Sequence, residues 1–237
     1  MNAPLLAIDT ATDIGSVAVG SVESAVVARL VGARQHAAQL LAVIDQVLRT
    51  AGVPRQQLAG IVVGDGPGSF TGLRIAWATA KGLAHEHELP LVAIPSLLGA
   101  AAVTGETGPV VACFDALRGQ VFGAIYAFPT GRIETIVAPD LFTLETLEQI
   151  APVRPVLAVG DGAQRYQAEI ERWIGRPPLG LEELAPVAGS FVVLASRAGA
   201  TRVLDDPLGA EPIYGRPAEA QVKWEARYGR PLPNSSR

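Results

Sequence analysis

The sequence predicts an α/β protein built from two related domains, each with a mixed sheet and covering helices. Three observations predict this fold class. Short apolar segments typical of strands alternate with amphipathic segments typical of helices along the first 103 residues. The pattern restarts after the loop 104–109, which is rich in glycine and threonine. Both halves then open alike, with an apolar strand, an aspartate (Asp9 or Asp115), a short turn and a returning strand, which indicates a repeated unit with a cleft between its copies.

The first half is predicted to run in the order β-β-β-α-β-α-β-α. Strands are assigned to short apolar runs, and helices to segments whose apolar residues recur with the helical period, as Leu40, Ile44 and Val47 do. Gly52 and Pro54 end the first helix. The predicted strands are 5–8, 15–20, 25–31, 61–63 and 90–94, and the predicted helices are 36–50, 73–84 and 96–103.

The second half follows a similar course and ends in a tail. The predicted strands are 110–114, 120–128, 133–137 and 156–159, and the predicted helices are 143–150, 164–174 and 192–199. The stretch 177–186 is expected to be irregular. The tail begins at Asp206, and its segment 211–216 is expected to be ordered and extended. We expect a short helix at 217–228, anchored by Trp224, and disorder at 231–237.

The composition favours a soluble protein with a well-formed core. Of the 237 residues, 49% are hydrophobic and 18% are charged, and the net charge is −4. This balance argues against a surface that grips nucleic acid unaided. The single cysteine, Cys113, lies in an apolar run and cannot form an internal disulfide, so we expect a buried thiol in a reducing cytosol. We find no signal peptide and no uncharged run as long as a membrane span, so we expect a cytoplasmic protein without a membrane partner.

The most distinctive segment is Gly-Asp-Gly-Pro-Gly-Ser-Phe-Thr-Gly-Leu-Arg at 64–74. It is not a phosphate loop of the G-x-x-x-x-G-K-[ST] type, because the next lysine is Lys81, and its glycines do not have the G-x-G-x-x-G register. Two interpretations stay open: a rigid strand-to-helix turn, or a helix start whose N–H groups receive an anion. The candidate residues of a nucleotide or anion cleft all lie in predicted turns and are Asp9, Thr10, Gly66, Gly68, Ser69 and Asp115.

The two aspartates also admit two interpretations. In a nucleotide-binding cleft, such a hairpin approaches phosphates with its N–H groups while the aspartate orients a metal. Alternatively, each aspartate starts its turn with its own side chain. The turn after Asp9 lacks the glycine that would bring the backbone nearest a phosphate, which weakens the case for tight ATP binding.

Other catalytic and metal-binding arrangements are disfavoured. His36 has no metal-ligating partner four residues on, and His85 and His87 are only two residues apart at a predicted helix end. We therefore expect no metal site. No serine has the surroundings of a G-x-S-x-G nucleophile, and Ser69 and Thr71 fit helix N-caps better.

The helix after the glycine segment carries a stripe of small residues. Gly72, Ala76, Ala80 and Ala84 recur every four residues, which allows another helix to approach closely. The stripe serves either the protein's own core or a partner, and together with the apolar face of the helix 36–50 it suggests a partner surface. The residues predicted for this surface lie on the two helices and are His36, Leu40, Val43, Ile44, Val47, Gly72, Ile75, Ala76, Thr79, Ala80 and Leu83.

Four motifs together resemble the bacterial TsaB family, also called YeaZ, and the resemblance covers nearly the whole chain. They are Leu-Ala-Ile-Asp-Thr-Ala-Thr at 6–12, the glycine segment at 64–74, Asp-Ala-Leu-Arg-Gly-Gln-Val-Phe at 115–122 and Glu-Pro-Ile-Tyr-Gly-Arg at 211–216. Three residues depart from the family pattern. Asp65 and Leu117 stand where arginine is usual, and Phe122 stands where tyrosine is usual, which leaves the roles of those side chains open.

The resemblance implies a fold of two related actin/Hsp70/sugar-kinase-like (ASKHA, RNase H-like) domains. With the boundary at the loop 104–109, residues 1–103 and the C-terminal segment 207–230 are expected to form the first domain, which carries the partner-binding helices. Residues 104–206 form the second, smaller domain. The resemblance also implies that the paralogue TsaD has a metal-binding H-x-x-x-H motif where this chain has Ser96 and Ala100, neither of which ligates a metal as imidazole does.

The resemblance therefore implies a non-catalytic subunit in the formation of N6-threonylcarbamoyladenosine (t6A) at position 37 of tRNAs that read ANN codons. Its expected partners are the catalytic TsaD, the ATPase TsaE and a second copy of the chain as a homodimer, with tRNA bound through the complex. We expect no cofactor in the isolated chain, and ATP or ADP with Mg only in the assembled complex.

Two other functions remain as alternatives. One is an ATP-dependent small-molecule kinase or ATPase of the same fold, which requires a working phosphate cleft. The other is a protease, which lacks a recognisable pair of nucleophile and base in this sequence.

Overall fold

The computed structural model describes residues 3–32, 36–204, 206–216, 224 and 227–229. The strands are β1 (Leu5–Asp9), β2 (Ile14–Gly20), β3 (Ala25–Val31), β4 (Gly60–Gly64), β5 (Leu91–Ile94), β6 (Val110–Asp115), β7 (Val121–Ala127), β8 (Glu134–Phe142), β9 (Leu157–Val159) and β10 (Arg202–Val203). The helices are α1 (His36–Ala51), α2 (Phe70–Glu86), α3 (Ser96–Ala102), α4 (Leu144–Ile150), α5 (Asp161–Arg165), α6 (Gln167–Ile174) and α7 (Val187–Leu194). The predicted order of the first half is confirmed, whereas most of the predicted helix 217–228 and the tail 231–237 lie outside the described residues.

The strands form two sheets whose topologies repeat. The first sheet has the order β10-β5-β4-β1-β2-β3, and the second has the order β8-β7-β6-β9. In the first sheet, β1 pairs antiparallel with β2, which pairs antiparallel with β3, while β4 is parallel to β1. In the second, β6, β7, β8 and β9 repeat these relations in the same order. The predicted α/β fold class, with two related mixed sheets, is confirmed.

The sheets and helices stack in five layers. Helices α1 and α2 cover one face of the first sheet, α3 and α7 lie between the two sheets, and α4, α5 and α6 cover the outer face of the second. The alternation of side chains along β1 shows how this is encoded: Leu6 and Ile8 face α1 and α2, whereas Ala7 faces the central layer. Small residues are concentrated in the central layer, where both sheets press on the same helices.

Several predicted boundaries differ from the structure. Helix α2 begins at Phe70, with Ser69 as its N-cap, so Thr71 lies inside the helix and not at its cap. The predicted helix 164–174 is interrupted at Tyr166, whose φ of −111° and ψ of 40° are not helical. The predicted helix 192–199 was misplaced: α7 runs from Val187 to Leu194, with Pro186 as its N-cap, and its buried residues include Val187, Ala188, Phe191, Val192 and Leu194.

The last part of the chain returns to the first sheet. Helix α7 packs on β1 and β2, and the two-residue strand β10 pairs with β5. Both elements lie within the predicted second domain 104–206. The predicted domain limits stay a prediction, while these contacts show that the chain crosses back before residue 207. None of the helices in the described ranges combines the length and apolar character needed to cross a membrane.

Candidate functional site

The predicted cleft residues lie at one edge of the two sheets. The parallel strands β1, β4 and β5 end at Asp9, Gly64 and Ile94, so the turns that follow them meet at the carboxyl edge of the first sheet. In the second sheet, the equivalent edge carries Asp115 at the end of β6 and Asp161 after β9. Such an edge is where open α/β sheets bind ligands, so the contacts of each turn decide what the edge does here.

The carboxylate of Asp9 is enclosed by the chain itself. Asp9 is only 1% exposed, and the hydroxyl of Ser96 donates a 2.7 Å hydrogen bond to its Oδ1. The backbone N–H of Gly66 donates to the same hydroxyl at 3.3 Å, and a Cβ on Gly64 would overlap the Asp9 carboxylate. Burial raises the pKa of Asp9 to about 6, against the lowering effect of the Ser96 hydrogen bond. Asp9 is therefore a buried, hydrogen-bonded group and not an exposed metal ligand.

The glycine segment packs directly on the turn after β1. The hydroxyl of Thr10 donates to the carbonyl of Gly72 at 2.6 Å, and the N–H of Ser69 donates to the carbonyl of Ala11 at 2.7 Å. A Cβ on Gly68 would overlap the carbonyl of Ala11, and a Cβ on Gly72 would overlap the carbonyl of Thr10. The glycines are therefore required by close contact between two stretches of this backbone. The Ser69 side chain also accepts a hydrogen bond from the N–H of Gly72. It therefore caps the start of α2 and occupies one of the N–H groups that an anion would bind there.

The aspartate of the second sheet has charged and backbone partners. Asp115 accepts a 2.8 Å hydrogen bond from Arg165 through Oδ2 and a 2.9 Å bond from the N–H of Leu117 through Oδ1. Asp161 in turn accepts from the N–H of Asp115 at 3.2 Å, and burial raises the pKa of Asp161 to about 6. The sequence analysis missed Asp161, although the apolar run followed by Gly160 and Asp161 repeats the strand-then-aspartate pattern.

The segment 211–216 lies between these two edges, and we call it the cleft segment. The N–H of Ile213 donates to the carbonyl of Asp65 at 2.8 Å, and a Cβ on Gly66 would lie 2.5 Å from the carbonyl oxygen of Ile213. On the other side, Arg216 donates to the carbonyl of Ala116 at 2.6 Å. The cleft segment therefore bridges the glycine turn of the first domain and the Asp115 hairpin of the second.

Close packing extends along the cleft segment at Gly215. A Cβ built there would lie 2.7 Å from both the Phe122 ring and the Cβ of Pro67. The guanidinium of Arg216 lies 6.0 Å from the centre of the same Phe122 ring. Phe122 thus contacts the cleft segment through its aromatic ring.

The buried carboxylate of Asp65 forms an ion pair with Arg202, whose side chain is 36% exposed. Both of its carboxylate oxygens accept 2.7 Å hydrogen bonds from Arg202, and Asp65 is 1% exposed. Arg202 also donates to the carbonyl of Glu211 at 2.9 Å, and its guanidinium lies 5.4 Å from the Trp77 ring. The pair therefore ties β10 and the start of the cleft segment to the glycine turn.

An aromatic and charged network joins the cleft segment to the start of α2. The rings of Phe70 and Tyr214 lie 4.6 Å apart, and the Arg74 guanidinium lies 4.6 Å from the centre of the Phe70 ring. The hydroxyl of Tyr214 accepts from Arg74 at 3.2 Å and donates to Glu211 at 2.9 Å. The orientation of the first turn of α2 is thus coupled to the cleft segment.

The predicted partner residues fall into two groups in the structure. Six are buried within the chain, and they are Leu40, Ile44, Val47, Gly72, Ala76 and Ala80. Four remain partly exposed, and they are Val43, Ile75, Thr79 and Leu83. The side chain of His36 lies outside the described residues.

The small-residue stripe is a feature of the core, and this corrects its assignment to a partner surface. Ala76 and Ala80 pack with Leu40 and Ile44 between α1, α2 and the first sheet, because the small side chains let the helices approach the strands. The outward faces of the two helices carry other residues that the sequence analysis missed. These are Ala38, Leu41 and Ala42 on α1 and Ala78 on α2. The run Ala-Ala-Gln-Leu-Leu-Ala at 37–42 was the signal available in the sequence for an apolar outward face.

The remaining chemical groups are consistent with packing roles. Cys113 is buried, as predicted, and burial raises the pKa of its thiol to about 12. His85 lies in the last turn of α2, and His87 is its C-cap. Across the described ranges, no three histidine, cysteine, aspartate or glutamate side chains gather closely enough to hold a metal ion.

Comparison with known proteins gives a consistent match. The family model described as "TsaD: tRNA N6-adenosine threonylcarbamoyltransferase" matches residues 27–172. The TsaB protein of Bacillus subtilis is 32% identical over 198 residues, which span 81% of this chain and 84% of that protein. The TsaB protein of Escherichia coli is 30% identical over 236 residues, which span 95% and 99%. Both relatives are named tRNA threonylcarbamoyladenosine biosynthesis proteins.

A solved structure extends the match to three dimensions. YeaZ from Pseudomonas aeruginosa superposes with a TM-score of 0.72 at 28% identity, covering 90% of this chain and 99% of that one. The similarity therefore extends over both sheets and is not confined to one motif.

Proposed function

This chain belongs to the TsaB family of tRNA threonylcarbamoyladenosine biosynthesis proteins, and we propose that it serves as the non-catalytic subunit that binds and activates TsaD. TsaD is the transferase that places the threonylcarbamoyl group on N6 of adenosine 37 in tRNAs reading ANN codons. The work of this chain is to hold TsaD in its active arrangement, in the cytoplasm, while TsaD supplies the catalytic groups.

The observation that carries the proposal is the occupation of the cleft by the chain's own cleft segment. The space in which an enzyme of this fold would hold a nucleotide is bordered by the glycine turn and the Asp115 hairpin. Within the cleft segment, Ile213 contacts the glycine turn, Arg216 contacts the hairpin, and Gly215 lies close to both. A nucleotide would have to displace these contacts before its phosphates met either turn. This arrangement supports a structural role better than it supports a kinase or ATPase.

The residues at the TsaD metal positions support the same proposal. Ser96 uses its hydroxyl to bind Asp9 and the backbone of Gly66, and Ala100 is fully buried in the central layer. Both side chains are therefore committed to internal packing. In the complex, the metal and the reaction it assists belong to TsaD, whereas ATP or ADP with Mg is used by TsaE.

The outward surface of α1 and α2 is the proposed docking surface for TsaD. Leu41 is 57% exposed, Ala38 and Ala42 beside it on α1 are exposed as well, and so is Ala78 on α2. These four exposed positions are all apolar, which favours a protein partner. Without TsaD, the same surface pairs two copies of this chain. The tRNA contacts the complex and not this negatively charged subunit alone.

Reconstitution tests the proposal directly. Purified TsaD and TsaE, with threonylcarbamoyl-adenylate and an ANN-reading tRNA, are expected to give full modification only when this chain is added. Full modification without it would overturn the proposal. Micromolar binding of Mg-ATP by the isolated chain, measured by calorimetry and accompanied by turnover, would favour the kinase or ATPase instead.

A further inference from the structure

A cavity of about 370 Å³ lies at the junction of the two domains, away from the cleft segment. Its walls come from β3 and the end of α3 in the first half, the linker after α3, the residues that follow β7 in the second half, and α7. Ligand sites occur preferentially at such domain junctions and have volumes of this order. No residue of the proposed function lines the cavity, so what it binds is a separate question.

The walls of the cavity are mainly apolar. Val27, Val103, Phe128 and Val193 line it, and Val27 is 38% exposed because its side chain borders this open space. The glycine opposite, Gly189, keeps the helix close, since a Cβ there would lie 3.2 Å from Val27. An apolar group of a ligand would be removed from water on several sides.

Two opposite charges line the same cavity without partners. Arg197 and Glu106 are both partly buried and both line the space. Within the part of the chain that the structure describes, neither side chain forms an ion pair or a hydrogen bond, either with the other or with a third group. Partly buried charges without partners are unfavourable, and a ligand with complementary charges would satisfy both.

We propose that this cavity binds a small zwitterion of the amino-acid class with an apolar side chain. The carboxylate of the ligand lies on Arg197, its ammonium group on Glu106, and its side chain among Val27, Phe128 and Val193. Arginine pairs with a carboxylate through two parallel hydrogen bonds, which fixes the orientation of the ligand. Because both domains contribute walls, the bound ligand favours the relative arrangement of the domains seen in this structure.

Calorimetric titration of the full chain with L-phenylalanine tests the proposal. We expect saturable binding and a raised thermal midpoint. Two analogues separate the charges: 3-phenylpropanoate keeps the carboxylate, and 2-phenylethylamine keeps the ammonium group. Each is expected to bind about tenfold more weakly or worse, since each leaves one charge of the cavity unpaired. Equal binding of either analogue overturns the proposal, and so does the absence of binding by both L-phenylalanine and L-leucine.

Variants of the lining residues locate the binding. Arg197→Gln and Glu106→Gln are each expected to weaken L-phenylalanine binding about tenfold or more, whereas the exposed Arg172→Gln and Glu148→Gln change the same charges elsewhere and leave it unaltered. Val193→Trp fills the cavity and should abolish binding while circular dichroism stays native. If Val193→Trp unfolds, the two charge variants decide, and unchanged affinity in both overturns the proposal.

Discussion

The turn that follows β1 and the turn that follows β6 occupy equivalent places in the two sheets, and both begin with an aspartate. Asp9 is enclosed, and its side-chain partner is the neutral hydroxyl of Ser96. Asp115 keeps 15% of its side chain exposed, and its partner is the cation Arg165. The topology thus determines where each carboxylate lies, whereas its neighbours determine whether it is enclosed or paired with a charge.

The backbones around the two aspartates also differ, because glycine has a different role in each. Around Asp9, glycines at 64, 68 and 72 allow the chain to close on itself. Around Asp115, Leu117, Arg118 and Gly119 all have positive φ, and a Cβ on Gly119 would meet no atom within 4 Å. The first turn therefore uses glycine for proximity, and the second uses it for conformation. The first is expected to tolerate far less change.

Gly72→Ala is the most severe test of this difference. The added Cβ overlaps the carbonyl of Thr10, so α2 must move away from the turn, and we expect the free energy of unfolding to fall by about 3 kcal/mol or more. Gly82→Ala is the matched control in the same helix, because a Cβ there meets open space. It should stabilise by up to about 1 kcal/mol. Urea unfolding measures both, and similar values for the two would remove the distinction drawn here.

The pH dependence of stability tests the enclosure of Asp9. Burial raises its pKa from 3.8 to about 6, so between these values the folded state binds more protons than the unfolded chain. The free energy of unfolding therefore falls as pH rises through that window. We expect Asp9→Asn to reduce this pH-dependent decrease in the free energy of unfolding by about 1 to 3 kcal/mol.

Burial also raises the pKa of Asp161 to about 6, so this residue titrates in the same pH range. It therefore accounts for a second part of the decrease in the free energy of unfolding as pH rises. Asp161→Asn should remove that part, and the double variant should flatten the profile. Thermal unfolding in a series of buffers from pH 4 to pH 7 gives the curves. A profile that Asp9→Asn leaves intact would show that its carboxyl group is not enclosed in solution.

Leu41→Arg on α1 and Ile150→Arg in the second half of the chain together test which half carries the docking surface for TsaD. We expect Leu41→Arg to weaken association with TsaD by about tenfold or more, because it places a charge in an apolar docking surface, while the unfolding midpoint stays within a degree or two. Ile150→Arg is the counterpart in the second half, at 48% exposure against 57% for Leu41. It should leave the dissociation constant within about twofold. Equal losses in the two variants, measured by calorimetry, would contradict the assignment of the docking surface to α1 and α2.

Leu117→Asn gives the smallest expected effect. Leu117 is half exposed and has a φ of 62°, a conformation that asparagine adopts more readily than leucine. We expect a gain of about 0.5 kcal/mol in the free energy of unfolding. A loss of stability in this variant would mean that the Leu117 side chain makes contacts that outweigh its backbone strain.

Local patterns in the sequence predicted most of the fold. The apolar run at 5–8 identified β1, and the helical spacing of Leu40, Ile44 and Val47 identified α1, because each pattern reports how a single element is buried. The N-cap at Ser69 was predictable for a similar reason, since capping involves residues only three positions apart. The buried state of Cys113 followed from the apolar run around it.

Contacts between distant parts of the chain were not predictable in this way. The spacing of Ala76 and Ala80 shows that one helix face is small, but it does not show whether that face meets a strand or a partner. Strand β10 has two residues, which is too short for any periodicity. The hydrogen bond between Asp161 and Asp115 joins residues 46 positions apart, and the ion pair of Asp65 joins residues 137 positions apart. Such pairs depend on the assembled topology.

The ion pair of Asp65 with Arg202 has a consequence for how the protein is made. During synthesis, the strand and turn that carry Asp65 leave the ribosome well before residue 202 exists. Until then, the Asp65 carboxylate lacks the guanidinium that pairs with it in the folded chain, and burying a carboxylate without a counter-charge is unfavourable. The amino-terminal half is therefore expected to remain incompletely closed until Arg202 has been synthesised and can pair with Asp65.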